Sequence, residues 1–303
     1  MTASTPTAID HATALLFPGQ GVSLAGARDA TVERCAYLYE RCCELLEEDP
    51  FERAPESTRY AQPAIFLAGV AAWRTLEHAG HGAPLALAGH SLGELTALAA
   101  AGVFELDDAL ELVVLRGTLM ADAAEAQGDG GMLAILKGAP EDASELADEH
   151  GVQIANDNAP GQTIVSGPRA ALDAVAGAAR GRGLRAIRLD VAGAFHSPAM
   201  QSACAPLQDA LAAVATSPPR VTVYSGMTAA PFRDLRAELA QALVRPVRWR
   251  ETMLALYAAG ARRFLDVGPD NVLARLVTRN LEGVEGLALA DRTAEEAAHA
   301  IRA

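Results

Sequence analysis

The sequence predicts an α/β fold with a mostly parallel sheet, into which a smaller unit is inserted. Three observations support this prediction. Short apolar segments alternate with helix-forming segments along most of the 303 residues, as in a parallel sheet covered by helices. A Gly-x-Ser-x-Gly turn joins one apolar strand to a helix at residues 89–93. Between residues 126 and 191 the predicted order becomes β-α-β-β-α-β, which is typical of a ferredoxin-like unit.

Composition and charge narrow the class of protein. Half of the residues are hydrophobic, and the formal net charge of -13 argues against a nucleic-acid partner and against an anionic membrane surface. Residues 1–11 lack a signal-peptide pattern, so we expect a disordered leader on a cytoplasmic protein with no membrane segment. The four cysteines have neither the spacing of zinc ligands nor that of a disulfide framework. We therefore expect no metal site, and we expect free thiols at Cys35, Cys42, Cys43 and Cys204.

The first half of the chain contains two short apolar strands, at residues 12–17 and 85–88. The turn Pro18-Gly-Gln-Gly21 ends the first of them, and Gly89-His-Ser-Leu-Gly93 ends the second. Proline favours the first helical turn, so we expect one helix to begin at Gln62-Pro63. Together the helices predicted in this half cover residues 31–48, 62–78, 94–101 and 105–120.

Glycines at residues 128–131 mark a change in the pattern. Beyond them, strands are predicted at residues 132–136, 152–155, 162–166 and 185–191, with helices at 140–150 and 168–181. We therefore expect a small domain at residues 126–191 and a main domain made of residues 1–125 and 192–303. In the last part, strands at 221–225 and 263–267 alternate with helices that begin near residues 197, 235, 249 and 272, and an alanine-rich tail follows.

Ser91 is the candidate nucleophile because it occupies the centre of the strand–turn–helix junction. The flanking glycines allow close backbone approach, and the following helix presents free N–H groups that favour an oxyanion. A loop after another strand supplies the second N–H donor in such sites, and Gln20 is the residue placed to do so. Because Pro18-Gly-Gln-Gly21 lacks the Lys-Ser/Thr of a phosphate-binding loop, an oxyanion loop is the better interpretation.

A serine hydroxyl needs a base within hydrogen-bond reach. Of the seven histidines, His196 is the best candidate, since it follows a predicted buried strand at the start of a helix. No acid is obviously placed to orient it, so a main-chain carbonyl is one alternative, with Asp190 and Asp266 as others. The pattern alone favours a packing role for His90, next to the serine, and a surface position for Arg116.

These residues resemble those of malonyl-CoA:acyl-carrier-protein transacylases and of the acyltransferases in polyketide synthases. The resemblance covers about residues 12 to 282, with the motifs in the family's order. It is carried by Phe17-Pro-Gly-Gln-Gly21, Gln62-Pro-Ala64, Gly89-His-Ser-Leu-Gly-Glu94, Arg116-Gly117, Asn156-x-Asn-x-Pro-Gly-Gln162, Phe195-His-Ser197 and Pro246-Val-Arg-Trp249.

The resemblance implies an α/β-hydrolase-like catalytic domain with an inserted ferredoxin-like domain, and acyl transfer in two steps from coenzyme A to the phosphopantetheine thiol of an acyl carrier protein. It implies that Ser91 is the nucleophile and that His196, oriented by a main-chain carbonyl, is the base. The N–H groups of Gln20 and Leu92 would form the oxyanion hole. Arg116 would bind the malonyl carboxylate, against its surface interpretation. Coenzyme A enters as a thioester substrate, and no other cofactor is implied.

Some positions depart from the fatty-acid enzymes of the family and make the chain more similar to discrete acyltransferases that serve a polyketide synthase in trans. We place His90, Gly193, Phe195 and Arg248 around the acyl pocket. Phe195 favours an unsubstituted malonyl group, whereas Gly193 leaves a larger pocket open. Two other activities are alternatives. Gly193 leaves open a carrier-to-carrier transfer of a bulkier acyl or aminoacyl group, whereas Arg116 argues against hydrolysis of acyl carrier proteins. Intact catalytic motifs argue against a carrier-binding scaffold without activity.

An acidic carrier protein would have to dock on local basic groups of this acidic chain. The arginines considered for that role are Arg180, Arg182, Arg185, Arg188, Arg245, Arg248 and Arg250.

Overall fold

A computed structural model describes residues 13–80 and 82–302, so the leader expected at residues 1–11 lies outside the described part. The described strands are β1 Thr13–Phe17, β2 Ala86–Gly89, β3 Gly130–Leu136, β4 Gln153–Ala159, β5 Gln162–Pro168, β6 Arg185–Arg188, β7 Val223–Ser225, β8 Ala230–Pro231, β9 Arg263–Asp266 and β10 Glu285–Ala288. The α-helices are α1 Ala27–Leu46, α2 Pro50–Arg53, α3 Thr58–His78, α4 Gly93–Ala100, α5 Leu106–Gln127, α6 Pro140–His150, α7 Arg169–Gly181, α8 Gln201–Ala213, α9 Leu235–Gln241, α10 Trp249–Ala258, α11 Val272–Asn280 and α12 Ala294–Arg302.

The main sheet has the strand order β10-β9-β1-β2-β7-β8. Its first five strands pair in parallel, and β8 pairs antiparallel with β7. The two central strands, β1 and β2, are buried along their whole length, because helices cover both faces of a parallel sheet. The predicted α/β class with a parallel sheet is confirmed.

A second sheet has the order β4-β5-β3-β6 with antiparallel pairing throughout. Helices α6 and α7 share a buried apolar cluster with it, separate from the clusters that flank the main sheet. This sheet lies within the interval 126–191 proposed for a small domain, and the domain boundaries stay a prediction. Strand β4 of this sheet also contacts the segment before α10, where the Asp157 N–H donates to the Val247 carbonyl at 2.9 Å.

Some predicted boundaries were wrong. Helix α3 begins at Thr58 and not at Gln62-Pro63, because the Ser57 hydroxyl caps it by accepting a hydrogen bond from the Arg59 N–H at 3.2 Å. The tail contains β10, which pairs with β9, and α12, neither of which the alanine-rich pattern predicted. Within residues 13–80 and 82–302, no helix combines the length and the apolar character needed to cross a bilayer.

The turn between β2 and α4 depends on glycines that allow close backbone contact. A Cβ atom at Gly89 would overlap the backbone of Gly93, and a Cβ atom at Gly93 would overlap the Phe17 carbonyl oxygen. The helix start therefore lies directly against the end of β1, which brings the turns after β1 and β2 together at one edge of the sheet.

We predict that Gly93→Ala lowers the free energy of unfolding by about 1–3 kcal/mol, the usual cost of overpacking. Gly177 in α7 is the matched control, since a Cβ atom there meets nothing within 4 Å. Gly177→Ala should raise the free energy of unfolding by up to about 1 kcal/mol, because alanine favours the helix. Urea titrations followed by circular dichroism measure both changes. Equal stability of the two variants would contradict the close contact at Gly93.

Candidate active site

Ser91 lies between β2 and α4, at the carboxyl edge of the main sheet. Its backbone has a φ of 54°, in the left-handed region that is uncommon for any residue except glycine. This conformation turns the hydroxyl away from the sheet and toward a cavity of about 630 Å³ that Ser91 lines. The local geometry is that of a nucleophile elbow.

His196 contacts Ser91 directly, although the two residues are 105 positions apart. Its Nε2 atom lies 2.8 Å from Ser91 Oγ. Its Nδ1 atom lies 2.9 Å from the Ala242 carbonyl oxygen and 3.2 Å from that of Arg245. Since carbonyl oxygens only accept hydrogen bonds, Nδ1 carries the ring proton and Nε2 presents its lone pair to the serine hydroxyl.

Main-chain carbonyls therefore orient the imidazole, and the two acids left open by the sequence lie elsewhere. Asp266 is fully buried and accepts hydrogen bonds from the N–H groups of Leu273 and Ala274, at the start of α11. Burial raises its pKa to about 7. Asp190 is exposed and lines the cavity without a hydrogen bond to His196.

The His196 ring is neutral at physiological pH. His196 is 5% exposed, and burial, helped by the nearby positive charge of Arg116, lowers its pKa to about 4. Desolvation disfavours the charged form of an imidazole, and a like charge disfavours it further. A neutral ring next to a serine hydroxyl can accept its proton.

Arg116 lies on α5 and is 5% exposed, so its surface interpretation was wrong. One of its nitrogens, Nη2, donates to Ser91 Oγ at 3.1 Å, and Nη1 donates to the Gln62 side-chain oxygen. Burial lowers the pKa of Arg116 to about 10, a change that the negative charge of Glu94 opposes, and the guanidinium stays charged at pH 7. Helical spacing shows which face of α5 carries Arg116, but it cannot show whether that face is exposed to solvent or packed against another helix. Here it packs against α3.

A chain of side-chain hydrogen bonds connects Arg116 to the turn after β1. The Gln62 Nε2 group donates to Thr58 Oγ1 at 2.8 Å, and the Thr58 hydroxyl donates to Gln20 Oε1 at 2.8 Å. Sequence reasoning missed Thr58. The available signal was its spacing of four residues from Gln62, which places both side chains on one face of α3.

Gln20 and Leu92 lie on two turns that touch. A Cβ atom at Gly19 would overlap the His90 carbonyl oxygen, so the turn after β1 lies against the elbow. Leu92 is the residue immediately before α4. In the described part of the chain, neither the Gln20 N–H nor the Leu92 N–H donates to another protein group, which leaves both free for an oxyanion.

The predicted pocket residues separate into two groups. His90 and Phe195 line the cavity with Ser91, and His90 is held by Asn158, whose side-chain oxygen lies 2.8 Å from Nε2. Burial lowers the pKa of His90, so it is neutral as well. Phe195 also lines a second cavity, of about 580 Å³.

Gly193 and Arg248 do not line the cavity. A Cβ atom at Gly193 would lie 2.7 Å from the Phe195 ring and 2.8 Å from Ala124 Cβ, so the glycine leaves room for that ring beside α5. Arg248 forms an ion pair with Glu251 and donates to the Thr228 carbonyl at 3.1 Å, so its guanidinium has partners outside the cavity.

The fold and this geometry define a class of protein, in which a serine on a strand–turn–helix junction is paired with a buried neutral histidine and can form an acyl-serine. The chain belongs to the acyl transferase domain family, whose model matches residues 31–298. In residues 13–80 and 82–302 there is no group of three or more His, Cys, Asp or Glu side chains that could hold a metal ion.

Known relatives cover most of the chain. It is 35% identical to the malonyl CoA-acyl carrier protein transacylase of Bacillus subtilis, over 92% of this chain and 93% of that one. It is 34% identical to the polyketide biosynthesis protein ThaF of Burkholderia thailandensis, over 88% of this chain but only 24% of that longer protein. The crystal structure of FabD from Acinetobacter baumannii matches with a TM-score of 0.87 and 31% identity, over 96% of this chain and 98% of that one.

Proposed function

We propose that this protein transfers a malonyl group from malonyl-CoA to the phosphopantetheine thiol of an acyl carrier protein, through an acyl-serine on Ser91. The observation that carries the proposal is the position of Ser91 Oγ, 2.8 Å from the neutral nitrogen of His196 and 3.1 Å from the charged guanidinium of Arg116. The first contact supplies a base, and the second a cation for an acyl group that carries a carboxylate. The name of the Bacillus subtilis relative supports the same donor and acceptor.

In the first step, His196 Nε2 accepts the hydroxyl proton while Ser91 Oγ attacks the thioester carbonyl carbon. The free N–H groups of Gln20 and Leu92 receive the negative charge that develops on the carbonyl oxygen. When the carbon–sulfur bond breaks, the departing thiolate of coenzyme A takes the proton from His196. The products are coenzyme A and a malonyl ester on Ser91.

In the second step, the carrier thiol gives its proton to His196 and attacks the ester carbonyl. The same two N–H groups stabilise the second oxyanion. Ser91 then leaves as the alkoxide and recovers the proton from His196, so the enzyme returns to its starting state. Each bond change and proton transfer uses a side chain or N–H group of the chain, and we infer that no metal or organic cofactor takes part.

Arg116 distinguishes this proposal from simple hydrolysis of acyl carriers. A buried guanidinium without a carboxylate within ion-pair distance in the described residues is costly, and a substrate carboxylate would pair with it. An ordinary acyl group has no carboxylate for this purpose. A hydrolase for such groups would gain nothing from the charge.

We also propose the wider setting of this activity. The similarity to ThaF supports a role in polyketide biosynthesis. The separate apolar cluster of α6 and α7 supports a small domain at residues 126–191, between the two parts of the catalytic domain. Free cysteines, two of them buried, suit the reducing cytoplasm.

Mixing the protein with malonyl-CoA should add one malonyl group to it, because acylation does not need the carrier. Intact-mass spectrometry detects the added mass, and Ser91→Ala should remove it. Ser23→Ala is the matched control, a serine on the exposed part of the loop after β1, and should keep the adduct. An adduct that persists in Ser91→Ala would contradict the assignment of the nucleophile.

The role of Arg116 predicts an effect that depends on the acyl group. Arg116→Ala should lower kcat/KM for malonyl-CoA by about 10- to 100-fold, as expected for a lost charged hydrogen bond worth about 1.5–3 kcal/mol. Acetyl-CoA lacks the carboxylate, so its kcat/KM should change far less. Initial rates of carrier acylation, measured with each of the two donors, give the two values of kcat/KM. Equal losses for the two donors would show that Arg116 supports the fold or the serine and not the carboxylate.

A further inference from the structure

Ion pairs occupy most of the arginines that the sequence suggested for carrier docking. Four of those seven have acidic partners within 4 Å, which neutralise much of their field. The pairs are Arg182 with Glu145 and Glu149, Arg188 with Asp173, Arg248 with Glu251, and Arg250 with Asp157. An anionic ligand gains little from a cation that is already paired.

Three basic side chains, one of them from that set of seven, converge on a cleft of about 500 Å³. They are Lys137, the single lysine of the chain, with Arg185 and Arg279, and we name this feature the cationic cleft. All three are exposed, and no acidic residue lines the cleft. Within the described residues, the side chains of Lys137 and Arg185 have neither a hydrogen bond nor an ion pair. Unpaired cations that meet in one place are unexpected in a chain with a net charge of -13.

The backbone around the cationic cleft is fixed and not a loose loop. Lys137 has a φ of 75°, a strained conformation for lysine, and its N–H donates to the Gly161 carbonyl at 3.1 Å. Arg279 on α11 donates to the Pro160 carbonyl at 3.2 Å and to the Gln162 side chain, which ties α11 to the turn between β4 and β5. The backbone at Lys137 and the side chain of Arg279 are therefore held in place by contacts within the protein.

The cationic cleft lies beside the cavity that contains Ser91, because Gly161 lines the first and Gln162 lines the second. Gln162, the partner of Arg279, also lines the cavity that contains Ser91. Strand β3 begins beside Ala194, close to His196, and ends at the cleft, and its 7 residues span about 20 Å. An acyl group on Ser91 does not reach that far, whereas a long flexible arm leading out of the cavity does.

We propose that the cationic cleft binds the phosphate group at the end of the pantetheine arm while the thioester lies at Ser91. The inference rests on the proposed function, since both the donor, coenzyme A, and the acceptor, a phosphopantetheinyl carrier, bear a phosphate at that end of the arm. Lysine and arginine side chains are the usual phosphate ligands, and charge-assisted hydrogen bonds are stronger than neutral ones. Because the cations are exposed, salt weakens the interaction.

The test compares donors with and without the phosphate. In the double variant Lys137→Ala/Arg185→Ala, we expect kcat/KM for malonyl-CoA, relative to that for malonyl-pantetheine, to fall about tenfold, the effect of losing two exposed charge contacts. The loss should reside in KM. Arg279 is left unchanged because it holds the turn between β4 and β5. Arg233→Ala, at an exposed arginine outside the cleft, should keep the ratio of the unaltered protein.

The acceptor is tested in the same way, with phosphopantetheinyl carrier protein against free pantetheine as the thiol that removes the malonyl group from Ser91. A reduced ratio in the donor arm alone identifies coenzyme A as the source of the phosphate, and a reduced ratio in the acceptor arm alone identifies the carrier. If both ratios match those of the unaltered protein, the inference is wrong while the proposed function stands. If the unaltered protein accepts a malonyl group from neither malonyl-CoA nor malonyl-pantetheine, the proposed function is wrong, and this inference is wrong with it.

Discussion

The buried positive charge of Arg116 is the constraint on which the site depends. Arg116 is 5% exposed, so its charge has lost most of its contact with water. Hydrogen bonds to Gln62 and Ser91 compensate for only part of that loss. Burial lowers the pKa of His196, and the nearby positive charge of Arg116 lowers it further. The charge that would attract a carboxylate therefore also helps to keep His196 neutral. A bound carboxylate offsets that charge, so the imidazole becomes a stronger base when the substrate is in place.

Close packing of α3 on α5 makes this burial achievable. Pro63 has no N–H, so the Arg59 carbonyl lacks its helical partner, and a Cβ atom at Gly117 would lie 3.1 Å from that oxygen. The glycine next to Arg116 thus lets α5 approach α3 at the turn that carries Thr58. This approach brings Gln62 within reach of the guanidinium. It also connects Arg116, through Gln62 and two more hydrogen bonds, to Gln20 on the turn after β1.

The sequence predicted those features of this protein that depend on residues close together in the chain. The elbow at Ser91 was predictable because its glycines, buried strand and helix are contiguous in the chain. The start of α3 was not, because the Ser57 cap is a weaker signal than Pro63. The environment of Arg116 depends on which helix covers it, which is a tertiary property, and the resemblance to a family supplied what spacing could not. Pairing of Arg248 with an acid three residues away was overlooked, although that spacing is visible in the sequence.

The protonation state of His196 tests this account most directly. Nuclear magnetic resonance of protein with labelled histidine, assigned by the signal lost in His196→Gln, follows each imidazole as the pH is lowered. We expect His196 to stay neutral from pH 7 to pH 5, with its midpoint near 4, because burial and Arg116 both oppose its protonation. A midpoint near 6.5, the value of an imidazole in water, would contradict the claim that burial and the charge of Arg116 together keep His196 neutral.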